Sequence, residues 1–259
     1  MSIALTSCPL RPRTGQGRRW LVLIVVAISL LALLPLLGLG FDAVLGRSGG
    51  SASLGPDGAS QIGGTLALVL GEGICGAVLG TANGWLTAVC QFPGRRLLRI
   101  AQLVPMAFPA YLQAASLIDW GSQQGLSIHG LGWAIALLTL ANYSYVFLLS
   151  TETFATSGRR LLEASRSLGV GPWRSVVRVA RPLAAPAFGA GVALSAMEVV
   201  NELGAVRLLG VPSLSAGILD RWQIDGDTAG AALLSLVALA IVAVLVSLER
   251  LRCRSSRSR

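Results

Sequence analysis

Lysine is absent from the 259-residue chain. That absence excludes a Schiff-base nucleophile and a P-loop, whose phosphate cradle requires a lysine. Any ATP chemistry coupled to this chain belongs to another polypeptide. Histidine occurs once, as His129, which removes His-based metal clusters. The four cysteines, Cys8, Cys75, Cys90 and Cys253, form no CxxC pair. They read as small buried or idle thiols, not as a disulfide framework or a zinc site. No metal site and no cofactor are expected. Charge is also scarce. Charged residues make up 13% of the chain and hydrophobic residues 53%, whereas a soluble domain is about 25% charged. A soluble fold this apolar would have too few charges to cover its surface, a need that a bilayer removes.

A hydrocarbon core of about 30 Å takes about 20 apolar residues of helix. Six runs qualify: 20–40, 64–88, 97–118, 131–150, 182–205 and 228–248. They predict an all-α fold, a polytopic membrane helix bundle of six transmembrane helices. The first run follows Arg18 and Arg19 but is too long for a signal peptide and lacks a small-x-small cleavage site, so it reads as a retained span. Net charge is +9, carried entirely by arginine. With the N-terminus in the cytoplasm, all 21 basic residues except Arg47, Arg207 and Arg221 fall on the inner side. This is a strong positive-inside bias, and it predicts a multi-pass protein with both termini cytoplasmic. It also accounts for the basic charge without nucleic acid. Residues 1–19 form a basic cytoplasmic N-terminus, 20–248 the transmembrane domain and 249–259 an Arg-rich tail. The segment 46–64 is rich in Gly and Ser and reads as an external loop. Its GxSxG match at Gly46–Gly50 has neither the strand nor the partner histidine of a serine hydrolase.

Within the runs, Gly76, Gly80 and Gly84 form a tandem small-xxx-small stripe. Such a stripe lets two helix backbones approach closely, inside one bundle or between subunits. Pro105 and Pro109 predict a kink in the third run. Glu72, Glu198 and Glu202 lie in apolar surroundings. A carboxylate at mid-bilayer costs about 2.5–3.5 kcal/mol, so each needs a partner or water. Glu72 is expected to be paired internally. Glu198, Asn201 and Glu202, spaced i, i+3, i+4, share one face near the outer end of the fifth run. They either line a pathway or join helices by hydrogen bonds.

The segment 151–186 is long, cytoplasmic in this topology and patterned. Leu161, Leu162, Ser165 and Leu168 fall at helical spacing, and Glu163 can pair with Arg159 and Arg166. Gly169-Val170-Gly171-Pro172 breaks the pattern, with Gly suited to a left-handed cap and Pro to a new first turn. A second helix follows, with Trp173, Val176, Val177 and Ala180 on one face and Arg174, Arg178 and Arg181 on the other. Two short amphipathic helices at a glycine elbow suit either the bilayer surface or a groove on a partner protein.

Glu163-Ala164-Ser165-x3-Gly169-x9-Val179-x-Arg181-Pro182 resembles the EAA loop of binding-protein-dependent ABC importer permeases. Ser165, Val179 and Arg181 stand where that family usually has alanine, isoleucine and leucine. The resemblance implies that 151–182 is a coupling segment entering a cleft of an ATPase subunit. Gly169 would be its bend and Glu163 a polar anchor, with Ala164, Ser165, Val179 and Pro182 in the same contact. A second set resembles the iron(III)-type branch. It comprises Met197-Glu198-x2-Asn201-Glu202-x-Gly204, Gly210-Val211-Pro212, Gly217-Ile218 and Trp222. Pro93-Gly94-Arg95-Arg96, Pro109-Ala110-Tyr111 and Tyr143-Ser144-Tyr145-Val146 belong with it. Thiamine and polyamine permeases share much of this pattern.

These resemblances imply a MetI-like type I ABC permease fold, matching the N-terminal half of the fused permeases. The implied protein is not an enzyme. It is a permease subunit in a bacterial inner membrane, importing ferric iron or another small solute by alternating access. Its implied partners are ABC ATPase subunits, a periplasmic or extracellular solute-binding protein, and a second permease chain or a second copy of itself. A secondary transporter would favour internal inverted repeats, which are not evident here. An inactive half-permease is the remaining alternative.

Overall fold

A computed structural model describes residues 15–45, 53–158 and 181–257, together with positions 167, 169, 171 and 174. Every regular element among them is helical. Among the described residues, three segments are long and apolar enough to cross a membrane: Gly58–Val89, Leu131–Thr156 and Thr228–Glu249. They correspond to the predicted second, fourth and sixth runs. The first run lies in α1 (Gly15–Leu45). Val22, Ile24, Leu30 and Leu34 of α1 are exposed, as expected of a helix that meets lipid. α1 packs on α10 (Thr228–Arg257). The fifth run begins in α7 (Arg181–Asn201) and ends in the short α8 (Gly204–Leu208).

The third run departs from the single kinked helix expected of it. It is split into α3 (Arg95–Ala101), α4 (Val104–Ala107) and α5 (Ala110–Gln123). Proline explains the break. Pro109 has no N–H and drives Phe108 to an extended conformation, φ −101° and ψ 129°. The carbonyls left without helical partners are taken up by one side chain, as Gln113 Nε2 donates to Pro105 O and to Phe108 O, each at 3.0 Å. Ser144 of α6 (Leu131–Thr153) also donates to Gln102 O at 2.7 Å. Broken backbone at membrane depth is tolerated where it is buried in protein or lines a cavity.

The most extensive contact joins α2 (Gly58–Val89) to α6, and the next joins α6 to α7. Lipid tails supply no hydrophobic drive for such pairs, so close fit must do so. The glycine stripe provides it inside the bundle. A Cβ built on Gly80 would stand 2.7 Å from Val146 Cβ and 2.8 Å from Phe147 N, and one on Gly84 would stand 2.8 Å from Ser150 Cβ. Glu72 is fully buried at the α2–α7 contact, where Ser195 Oγ donates to its Oε1. The expected internal pairing is therefore present.

Of the three arginines outside the charge bias, Arg47 lies outside the described residues, and Arg207 and Arg221 have structural partners. Arg207 pairs with Asp220 on α9 (Leu214–Gln223). Arg221 is buried and donates to Ser53 O at 2.7 Å and to Leu54 O, with Asp227 3.9 Å away. It straps the chain entering α2 to the turn before α10.

The glycine contact makes a matched prediction. Gly80→Ala should destabilise the protein by about 1–3 kcal/mol through overpacking. Gly63→Ala on the same helix, with nothing within 4 Å of the new Cβ, should be neutral or stabilising by up to about 1 kcal/mol. Thermal unfolding in detergent reads both, and equal shifts would contradict the close approach.

Candidate functional site

The break in the third run forms one wall of a pocket of about 200 Å³. Residues 105–110 line that wall, while Ala141, Asn142 and Tyr145 come from α6. Glu198 of α7 and Glu202, just past its end, complete it. Two of the three acid-face residues singled out in the sequence are thus brought together. The third, Asn201, is exposed, and its Nδ2 donates back to Met197 O at 2.9 Å.

The two carboxylates differ in setting. Glu202 Oε1 accepts from Ala205 N at 2.8 Å, which caps the start of α8. Its backbone carbonyl accepts from Ser215 Oγ at 2.5 Å. Glu202 is therefore fixed in place. Glu198 is exposed on the pocket side of α7. Opposite them, Asn142 is 6% exposed and its Nδ2 has no hydrogen-bond partner among the described residues. Leaving a buried amide donor unmade costs about 1–3 kcal/mol.

Asn142 and Tyr145 did not emerge as site residues from their residue types. The Tyr143-Ser144-Tyr145 motif pointed at the region without separating its members. The structure separates them. The Tyr143 backbone packs toward Gly76 and Gly80 of α2, Ser144 holds Gln102, and Tyr145 lines the pocket. Helical geometry does this, because consecutive residues point about 100° apart and cannot share a face.

Of the expected coupling residues, Glu163, Ala164, Ser165 and Val179 lie outside the described residues. Gly169 is described. It is exposed, with φ +78°, the left-handed conformation expected of a glycine elbow. Pro182 falls in the first turn of α7. Upstream, α6 runs into a single π-helical turn, Phe154–Gly158.

A protein-family model, "Binding-protein-dependent transport system inner membrane component", matches residues 80–252. The Fe(3+)-transport system permease protein FbpB 2 of Haemophilus influenzae is 26% identical over 237 residues. The match covers 88% of this chain but only 44% of that protein, so the chain spans less than half of this relative's length. The sulfate transport system permease protein CysT of Escherichia coli K12 is 28% identical over 201 residues, 71% of this chain and 73% of that one. Among solved structures, the inward-facing MetNI methionine ABC transporter superposes with a TM-score of 0.62 at 22% identity. It covers 77% of this chain and 94% of that one, a likeness that shows the fold. Glycine-packed membrane helices, a broken helix walling a polar pocket and a family match over two-thirds of the residues agree: this chain belongs to the binding-protein-dependent inner-membrane permeases of ABC transporters.

Proposed function

We propose that this chain is one of two permease subunits of an ATP-driven importer for ferric iron, with both termini cytoplasmic. Its cargo arrives from a solute-binding protein, and separate ATPase subunits dock on 151–182. The observation that carries the reading is the pocket, where Glu198 and Glu202 face the broken wall at 105–110. Two unit charges 5 Å apart interact by about 3 kcal/mol at an effective dielectric of 20. Carboxylates in this position favour a cation in transit and oppose an oxyanion. That preference sides with the Fe(3+) relative over the sulfate relative. Loose, few-ligand contact suits transport, since tight coordination would slow release.

The chain itself makes and breaks no bonds in this scheme. ATP closes the ATPase pair, the elbow at Gly169 carries the motion, and the helices rock so that the pocket opens to one side and then the other. Left-handed backbone at the elbow requires glycine, and a side chain there is strained whatever the space around it.

Three experiments test the scheme. The Glu198→Gln, Glu202→Gln double variant should lower uptake of radioactive ferric iron in cells at least tenfold while leaving ATPase association intact. Uptake at the parent level would remove these acids from the pathway. Running the parent with iron, thiamine, a polyamine and sulfate identifies the cargo, and sulfate as the transported solute would overturn the cation assignment. Separately, Gly169→Val should lower cargo moved per ATP at least threefold in reconstituted vesicles. An unchanged ratio would show that the elbow does not carry the stroke.

A further inference from the structure

The pocket lies at one end of a stripe on α7. Phe188, Gly191, Ser195 and Glu198 are three, four and three residues apart and share one face of α7, and Glu202, four residues further and just past the helix end, continues the spacing. Each meets a different neighbour. The Phe188 ring lies 6.0 Å from that of Phe154, tilted by 60°. Around this pair gather Trp85, Ala88 and Val89 from the end of α2. Gly191 comes next, and a Cβ built on it would stand 2.7 Å from Val146 Cα. Ser195 holds Glu72. Glu198 and Glu202 line the pocket.

The partners on α6 follow the same order. Phe154 lies just past its end, Val146 is in the middle, and Tyr145 and Asn142 face the pocket. We infer that the Gly191–Val146 contact is the pivot on which α6 and α7 rock, that the Phe154–Phe188 pair is its driven end, and that the pocket is its working end. The inference rests on the reading of the chain as a permease driven through 151–182.

Three observations carry it. Phe154 and Phe188 flank the stretch 155–187 in the chain and their rings are in contact, so motion passed along the chain from that stretch reaches both helices at one point. The π-helical turn that Phe154 opens is a local irregularity of the kind found at functional sites, and it falls at the driven end. The pivot meets the glycine mainly through backbone, Val146 Cα and N with Cγ2 beside them, so little side-chain rearrangement is needed as one helix rolls on the other. At 1.5 Å per residue, Gly191 lies about 4.5 Å along α7 from Phe188 and about 10 Å from Glu198. A displacement at the aromatic pair is thereby enlarged about twofold at the acid. The Ser195–Glu72 hydrogen bond lies between pivot and pocket and restrains the swing.

The test uses the assembled complex in lipid vesicles, with cargo uptake and ATP hydrolysis measured together. Gly191→Ala is expected to lower cargo per ATP at least fivefold, with hydrolysis within twofold of the parent. Phe188→Leu, which keeps an apolar side chain but loses the ring, is expected to lower the ratio at least threefold. Phe188→Tyr, which keeps the ring, should hold it within twofold. An unchanged ratio in both Gly191→Ala and Phe188→Leu overturns the pivot. Parallel loss of uptake and hydrolysis at constant ratio also overturns it, because that reports packing alone. If Gly191→Ala does not assemble, the two Phe188 variants decide on the same ratio. A parent complex that moves no cargo, or whose 151–182 segment touches no ATPase, would overturn the permease reading itself, and the pivot with it.

Discussion

Val146 sits between two glycines of different helices. Gly80 of α2 admits its Cβ from one side, and Gly191 of α7 admits its Cα from another. Hydrocarbon does not push helices together as water does, so three apolar helices stay associated only where their surfaces fit closely. This double approach holds α6 between two neighbours at one level, and much else is arranged around it. Asn142 and Tyr145 are carried to the pocket by the part of α6 on one side of it, and Phe154 to the aromatic pair by the part on the other. Glu72 and Ser195 can meet because α2 and α7 are both drawn in against α6.

Local chemistry was legible in the sequence wherever a short stretch decides the outcome. Apolar runs near 20 residues gave the helical membrane fold. The spacing of Gly76, Gly80 and Gly84 gave a close contact while leaving its partner open. Gly169 was expected to be left-handed and is. The third run exposes the limit of hydropathy, which averages side chains and ignores backbone bonding. Pro109 removes a donor and constrains Phe108, and the run breaks into three pieces where one bent helix was expected.

The pocket was less legible because its walls come from three stretches far apart in the chain. The two acids stood out as costly charges in apolar surroundings, but Asn142 had no such flag. Along α7 the signal is spread over residues of different types. Attention to polar residues grouped Asn201 with Glu198 and Glu202, although Asn201 turns to its own backbone. The alternating three-and-four spacing from Phe188 through Gly191 and Ser195 joins apolar, small and acidic residues into one face. Only contacts with α2 and α6 reveal what each member does.

Gln113 grips two carbonyls on the far side of the proline break, and both belong to the wall that faces the acids. The wall is thus shaped from within its own segment before any solute arrives. Ordering entropy for that irregular stretch is settled when the chain folds. In the proposed pathway, a solute entering the pocket meets a preorganised surface, and its contact energy need not be drained by shaping it. Weak contacts can then suffice for recognition and still let go.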